Sequence, residues 1–155
     1  MKRISITERV TLEPIYLNKN YKNYLKQEIV KKSQGKCTKE NGYIINICDI
    51  LTIKECESQS GIVFAVTYTA DSFLPKIDDI IETKVCLCFA SGILAIYKDV
   101  HKILIPANKL TNYTFTNNSY VSKNNKIQVN TEISIKITSV KFSEGVFQST
   151  GVLNE

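Results

Sequence analysis

The stretch from Val66 to Gly92 constrains the fold more than any other, because it holds two β-rich runs separated by a proline. The first run alternates with a period of two, which is typical of a half-buried strand. Pro75 has no backbone N–H and cannot extend a sheet's hydrogen-bonded ladder. A polar turn at Asp78-Asp79 follows, and a second β-rich run extends from Ile80 to Phe89. The sequence therefore predicts a boundary between two small β-rich units at residues 73 to 79.

The first unit is predicted to be an antiparallel sheet with one helix. Residues 3 to 12 alternate as a half-buried strand that ends before a proline. Either Asn18 or Asn20 can cap a following helix, and Gly35 is suited to its end. Asn41-Gly42 lies between two β-rich runs and indicates a hairpin.

The two runs beyond that hairpin are predicted to be strands joined by an exposed loop. The loop extends from Glu55 to Gly61 and is polar, and a strand from Ile62 to Ser72 follows it. This strand leads into the boundary at Pro75.

The second unit is predicted to be a small closed barrel. Its five β-rich runs are Ile80 to Phe89, Ile93 to Tyr97, Ile103 to Ile105, Glu132 to Phe142 and Val146 to Leu153. Five short strands with turns between them are typical of the oligonucleotide-binding (OB) barrel. Residues 107 to 126 are rich in Asn, Thr, Ser and Lys, and we interpret them as one long polar loop.

Composition indicates a folded globular chain. The 155 residues are 43% hydrophobic and 23% charged, which excludes wholesale disorder. The early residues lack an apolar run of signal-peptide length, and no stretch approaches roughly 18 uninterrupted apolar residues, so we expect neither secretion nor a membrane span. Five cysteines without framework spacing favour reduced thiols in a cytosolic or nuclear compartment.

Charge permits contact with nucleic acid without requiring it. The net charge is +5, and both halves are basic, with 11 Lys and Arg against 8 Asp and Glu before Pro75 and 9 against 7 after it. The predicted helix carries four lysines beside a single acid, Glu28; the lysines are Lys22, Lys26, Lys31 and Lys32. This face is interpreted either as solvated or as a site for phosphate or a partner.

Catalysis finds little support in the sequence. His101 is the only histidine, and the chain has no nucleophile elbow, P-loop, zinc-protease or dinucleotide motif. Cys86 and Cys88 would share one face of a strand, but a zinc site needs a second ligand pair, so we interpret both as buried apolar-like residues. No metal or cofactor is expected.

Nucleic-acid binding has better candidates. OB barrels bind single strands by stacking bases on aromatic rings beside a positive groove. The candidate RNA-binding residues are Lys84, Phe89, Tyr97, Lys98, Lys102, Tyr113 and Phe115, with Tyr120 in the same polar segment. Each aromatic residue taken singly is either a core residue or a stacking platform.

An ordered set of motifs resembles the larger stalk subunit of multisubunit RNA polymerases, the family that includes the seventh subunit of eukaryotic RNA polymerase II and its archaeal counterpart. The motifs are Leu12-x-Pro14-x-Tyr16, Gly35-x-Cys37-Thr38 with Gly42-Tyr43, Val66-x-Tyr68-x-Ala70-x-x-Phe73-x-Pro75, Gly92, and Glu132-Ile133-x-Ile135-Lys136-Ile137. They occur in family order across essentially the whole chain. The chain departs from the family at Asp78, where a glycine is common, in a shorter Glu55 to Gly61 loop, and in a brief C-terminal tail.

The resemblance implies an α+β, mostly β fold. Residues 1–75 would form a ribonucleoprotein-like tip domain that docks on the polymerase core, and residues 76–155 an OB-fold barrel that binds RNA. The implied docking residues are Pro14, Tyr16, Gly35, Gly42, Glu57, Ser58 and Gln59. The implied partners are the clamp of the largest polymerase subunits, a smaller stalk subunit where one exists, and nascent single-stranded RNA, with no membrane.

The leading hypothesis is therefore a noncatalytic stalk subunit of a DNA-directed RNA polymerase. The alternatives are a free-standing OB-fold RNA-binding protein of translation or RNA decay, an interaction module whose barrel has lost RNA binding, and, last, an enzyme. The Asn, Lys and Ile bias and the short length suit a large DNA virus. We expect the nucleus for a cellular eukaryotic protein, and the host cytoplasm or virion for a viral one.

Overall fold

The computed structural model describes residues 1–56 and 62–155. These residues divide into two compact units, Met1–Leu74 and Pro75–Glu155. No helix in the described ranges is both long enough and apolar enough to cross a membrane.

The first unit is a four-stranded antiparallel sheet with one helix. Its elements are β1 (Lys2–Leu12), a 3-10 helix (Pro14–Tyr16), α1 (Tyr21–Ser33), β2 (Cys37–Thr38), β3 (Gly42–Cys56) and β4 (Ile62–Phe73). The strand order is β1-β4-β3-β2, so the two longest pairings both involve β4. The helix covers one face of this sheet, and small or charged side chains occupy the other face of β1.

Helix α1 forms because its apolar residues recur one turn apart. Leu25 and Ile29 are four residues apart, are fully buried, and contact the sheet core that includes Val66 and Tyr68. Burying two such side chains contributes about 1.5 to 3 kcal/mol each. Asn20 occupies the N-cap position, although its side chain makes no capping hydrogen bond. The helix therefore depends on packing rather than on a strong cap.

The hairpin between β2 and β3 depends on Gly42. This residue has φ +73°, and a Cβ placed there would collide with the backbone carbonyl of Phe73. Only glycine combines this backbone conformation with such a close approach. The predicted hairpin at Asn41-Gly42 is present, with Thr38 paired to Gly42.

The second unit is a closed five-stranded barrel. Its strands are β5 (Ile80–Phe89), β6 (Gly92–Tyr97), β7 (His101–Pro106), β11 (Glu132–Ser143) and β12 (Val146–Leu153). They close in the order β11-β12-β7-β6-β5, and β12 is parallel to β7 while the other pairings are antiparallel. This is the Greek-key order of an OB barrel. The predicted fold class, α+β with an OB-type barrel, is confirmed.

Alternating residues of each strand fill the barrel. Val85, Ile93, Ala95, Ile103 and Ile105 are all fully buried. On β12, Gly151 lets the strands close, because a Cβ there would lie 2.5 Å from the Ile135 side chain and 2.8 Å from the Lys136 carbonyl. The interior is therefore a packed core.

The prediction of one long loop over residues 107 to 126 is wrong. These residues hold a 3-10 helix (Ala107–Lys109) and the strands β8 (Thr114–Thr116) and β9 (Ser119–Val121), and β10 (Lys126–Ile127) completes a small sheet. Asn117 and Asn118 both have positive φ, +49° and +58°, and form the tight turn of the β8–β9 hairpin. The asparagines therefore mark a turn within a sheet rather than an unstructured loop.

Candidate nucleic-acid interface

The outer face of β5, β6 and β7 brings together three of the predicted RNA-binding residues. Lys84 pairs with Ile96, and Ile96 pairs with Lys102, so the three side chains point outward next to one another. We call Lys84, Ile96 and Lys102 the lysine row. Both lysines are exposed. Phe89 projects from the same face and is 36% exposed. This is the face that carries the ligand in OB barrels, formed by the second and third strands and the adjoining turn.

Acidic residues reduce the net positive charge at one end of the lysine row. Glu132 pairs with Lys84 across the β5–β11 ladder. A shallow groove also brings Glu82, Lys98 and Asp99 near Lys84. Lys102, on the far side of Ile96, does not line this groove. The site is therefore moderately basic, which is consistent with a net charge of +2 for this half of the chain.

Two other predicted RNA-binding residues, Tyr97 and Lys98, lie at the end of β6 opposite Phe89. Tyr97 pairs with His101, whose side chain is inside the barrel, so Tyr97 projects from the inner side of β6 and is half-buried. Lys98 follows in the β6–β7 turn, where it is exposed and has φ +52°. The structure therefore does not bring Tyr97 together with the lysine row.

The aromatic residues of the small sheet pack locally. The Phe115 ring lies 5.2 Å from the ring of Tyr120, which is buried and donates a 2.6 Å hydrogen bond to the Phe89 carbonyl. Tyr113 donates a 2.9 Å hydrogen bond to Glu155, and burial raises the pKa of its hydroxyl. Tyr120 is therefore a core residue, and its hydrogen bond to the Phe89 carbonyl holds the small sheet against the β5–β6 turn.

The single histidine is a core residue. His101 is fully buried and its Nε2 lies 2.8 Å from the hydroxyl of Ser149. Burial lowers the pKa of the imidazole to about 4, so the ring is neutral at physiological pH. The geometry gives it no access to a substrate.

The cysteines of β5 do not form a shared site. A β-bulge between Val85 and Leu87 displaces Cys86, whose thiol donates to the Leu94 carbonyl at 3.2 Å. The Cys88 thiol is 3.9 Å from the Ile127 carbonyl, and burial raises its pKa. The bulge interrupts the alternation from which a shared strand face was expected. Both cysteines are half-buried rather than buried as predicted. Among the described residues, no group of three or more His, Cys, Asp and Glu side chains could hold a metal ion.

In the first unit, the predicted docking residues Pro14 and Tyr16 lie on an exposed apolar segment. Ile15 between them is 75% exposed, Tyr16 is 38% exposed, and Leu17 is similar. The Tyr16 ring lies 4.7 Å from that of Tyr24 on α1, which fixes the segment against the helix. We call Pro14 to Leu17 the apolar segment.

The other predicted docking residues have different placements. Gly35 is exposed at φ +83°, just past α1, and donates its backbone N–H to the Ile44 carbonyl. Gly42 is buried and packs closely against the Phe73 backbone, so it does not lie on the surface. The remaining three, Glu57, Ser58 and Gln59, lie outside the described residues.

The lysines of α1 remain a solvated surface in this structure. All four are exposed, and none forms an ion pair within the described ranges. Lys32 donates a 3.3 Å hydrogen bond to the Arg9 carbonyl on β1. Lys26 and Lys31 line one shallow groove on the helix surface, together with Gln27 and Val30.

The outer face of the barrel also carries a row of leucines, which was not predicted from the sequence. Leu87 pairs with Leu94, and Leu94 pairs with Leu104, which gives a leucine row next to the lysine row. Leu87 is 53% exposed. The available signal was the uninterrupted apolar run in β6 and β7, since a half-solvated antiparallel strand normally alternates. Such a run leaves apolar side chains on the outer face as well as in the core.

Comparison with known proteins identifies relatives for nearly the whole chain. Residues 7–65 match the family model of the SHS2 domain found in the N terminus of Rpb7p, Rpc25p and MJ0397. DNA-directed RNA polymerase II subunit 7 of Arabidopsis thaliana is 26% identical over 165 residues, which covers 98% of this chain and 91% of the relative. Subunit RPB7 of Saccharomyces cerevisiae is 26% identical, covering 83% and 80%, and rpb7 of Schizosaccharomyces pombe is 25% identical, covering 91% and 86%.

These relatives agree with both units of the fold. The family model covers the part of the chain that forms the sheet and helix of the first unit, and the full-length matches extend through the barrel. Because each relative is the seventh subunit of RNA polymerase II, a noncatalytic subunit, the prediction of a noncatalytic protein is confirmed. Residues 7–65 therefore match the SHS2 domain of Rpb7-type proteins, and the chain as a whole is similar to the seventh subunit of RNA polymerase II.

Proposed function

We propose that this chain is a stalk subunit of a DNA-directed RNA polymerase that docks on the polymerase core and contacts nascent RNA. The observation that carries the proposal is similarity to RNA polymerase II subunit 7 over 98% of the chain. An OB-type barrel with two lysines on its ligand-carrying face supports the RNA contact. The contribution to transcription is positioning and electrostatics, not chemistry.

Docking on the polymerase is assigned to the first unit. The apolar segment presents Ile15 and Tyr16 to solvent, and burying such side chains in a partner contributes about 25 cal/mol per Å². Exposed apolar patches with polar surroundings are typical of protein interfaces. The proposed partners are the clamp formed by the largest polymerase subunits and a smaller stalk subunit. For a eukaryotic protein, this function places the chain in the nucleus.

RNA contact is assigned to the second unit. Lys84 and Lys102 neutralise phosphates, and Phe89 offers an exposed ring beside them. Because this contact is dominated by charge, it weakens as salt rises and counterion release contributes less.

The decisive experiment is a gentle affinity purification of the tagged protein from its native source, followed by mass spectrometry. Recovery of the two largest polymerase subunits in fixed ratio supports the stalk function. Recovery of ribosomes or scattered RNA-binding proteins instead supports a free-standing OB-fold RNA-binding protein and contradicts the proposal. A parallel purification of the Ile15→Ser variant tests whether recovery depends on the apolar segment.

A further inference from the structure

The leucine row is a structural feature that polymerase docking and phosphate contact leave unexplained. Leu87, Leu94 and Leu104 stand side by side on three neighbouring strands, and Thr150 continues the row on β12. Leu87 is largely exposed, and the other two leucines are half-buried. Three aligned apolar side chains on the solvent side of a barrel are costly to hydrate and indicate a contact surface.

The lysine row runs parallel to the leucine row. Neighbouring strands lie about 4.8 Å apart, so Lys84 and Lys102 are separated by roughly 10 Å across Ile96. Along β6 and β7 the two rows are two residues apart, which is about 6.6 Å. The face therefore has a line of positive charge and a line of apolar side chains, both running across the strands.

A single-stranded nucleic acid has the same two-sided character, with charged phosphates along one side and apolar base faces along the other. We propose that single-stranded RNA crosses β5, β6 and β7 with its phosphates along the lysine row and its bases resting on the leucine row. This assignment rests on the proposed RNA contact of the barrel, and it adds the path of the strand and the surface that meets the bases.

The next row of residues bounds the surface on its far side. Phe89 and Pro106 each pair with Gly92, which brings no side chain. A Cβ on Gly92 would collide with the Ile105 carbonyl, so this position stays open. The gap between Phe89 and Pro106 gives the base edges room beyond the leucine row. Aliphatic side chains offer no hydrogen bonds to base edges, so binding is expected to be tolerant of sequence.

The size of the surface favours RNA over a protein helix. The leucine row spans three strands, or about 10 Å. A stable protein interface buries about 800 Å² on each partner and involves roughly 20 to 30 residues a side. The lysine row, the leucine row and the row of Gly92 carry six outward apolar side chains, which are Leu87, Phe89, Leu94, Ile96, Leu104 and Pro106. That area suits a few nucleotides.

The test compares two ligands by fluorescence anisotropy: a short oligouridylate, and a strand of equal length whose riboses carry no bases. For the wild-type protein we expect tighter binding of the oligouridylate. Leu87→Ser is expected to weaken oligouridylate binding by roughly three- to tenfold, the equivalent of one partly buried apolar contact, and to leave binding of the abasic strand unchanged. Leu104→Ser is expected to show the same selectivity.

The matched control is Leu51→Ser, which removes a leucine of similar exposure, 55%, from β3 of the first unit. It is expected to change neither affinity. If Leu87→Ser and Leu104→Ser leave oligouridylate binding unchanged, or weaken both ligands equally, the leucine row does not hold bases. The RNA contact itself stands in that case. If the wild-type protein binds neither strand at low salt, the proposed RNA contact and this inference both fail.

A protein occupant would give a different pattern. If Leu87→Ser lowers recovery of polymerase subunits while oligouridylate binding is unchanged, the leucine row meets a protein and the inference is overturned. Far-ultraviolet circular dichroism and the thermal unfolding midpoint check that each variant is folded. Leu87 is largely exposed, so its replacement is not expected to unfold the barrel.

Discussion

His101 and Ser149 form a buried pair inside the barrel, with the imidazole Nε2 2.8 Å from the serine hydroxyl. Burial lowers the pKa of His101 from 6.5 to about 4. Between these values, the unfolded chain binds a proton that the folded chain does not, so the free energy of unfolding falls as pH falls. The pair therefore couples barrel stability to acidity.

We expect this coupling to cost roughly 2 to 3 kcal/mol of stability between pH 6.5 and 4, and nothing above pH 6.5. Urea unfolding at several pH values measures the effect, and His101→Gln serves as the comparison because its side chain does not titrate. The difference in unfolding free energy between wild type and variant should change below pH 6.5 and stay constant above it. A constant difference down to pH 4 would contradict the lowered pKa.

The lysine row predicts the salt dependence of RNA binding. Each phosphate contact on a single strand contributes about 0.7 to the slope of log affinity against log salt. Lys84→Gln and Lys102→Gln are each expected to reduce that slope by about this amount and to weaken binding to all sequences alike. Lys141→Gln, an exposed lysine elsewhere on β11, is the matched control. If all three variants have the same slope of log affinity against log salt, the lysine row does not contact RNA.

Gly42 predicts a large stability loss in the first unit. Gly42→Ala must adopt φ +73° and also push its Cβ against the Phe73 carbonyl, so we expect about 2 to 4 kcal/mol of destabilisation. Gly145→Ala has a similar φ of +77° in the β11–β12 turn but open space around it, so only the backbone cost of about 1 kcal/mol applies. Chemical denaturation of both variants separates the two costs. A Gly42→Ala loss no larger than that of Gly145→Ala would mean that the backbone relaxes at Phe73.

Much of this fold was predictable because turn chemistry and strand period agree. The strand Ile80–Phe89 has the predicted bounds, and α1 ends just before Gly35, as predicted. Asp78, noted as a departure from a family glycine, adopts φ +75°, the left-handed conformation for which glycine is the default. Its carboxylate lies 3.7 Å from the ammonium of Lys136.

The site was predictable only in part, because side-chain direction depends on register. An uninterrupted apolar run such as Ile103-Leu104-Ile105 does not reveal which member faces outward. Pairing fixes this, and it places Leu104 beside Leu94 on the outer face. Register also decides the position of Tyr97. It pairs with the buried His101, so its side chain lies on the inner side of β6 and not beside the other predicted RNA-binding residues.

The apolar segment predicts the strength of polymerase association. Ile15 is 75% exposed, so Ile15→Ser removes an apolar contact from an interface without opening a cavity in the free protein. If the segment docks on the polymerase, burial of this side chain contributes about 1.5 to 3 kcal/mol, and its loss lowers affinity by roughly one to two orders of magnitude.

Ile77→Ser provides the control for this loss, since Ile77 is 60% exposed and lies in the second unit. Quantitative pull-down of the largest polymerase subunits should fall with Ile15→Ser and remain at the wild-type level with Ile77→Ser, while both variants keep the wild-type unfolding midpoint. Equal recovery with both variants would exclude Ile15 from the docking surface. Docking would then have to rest on other residues of the first unit, since an exposed isoleucine with no partner contributes nothing to association.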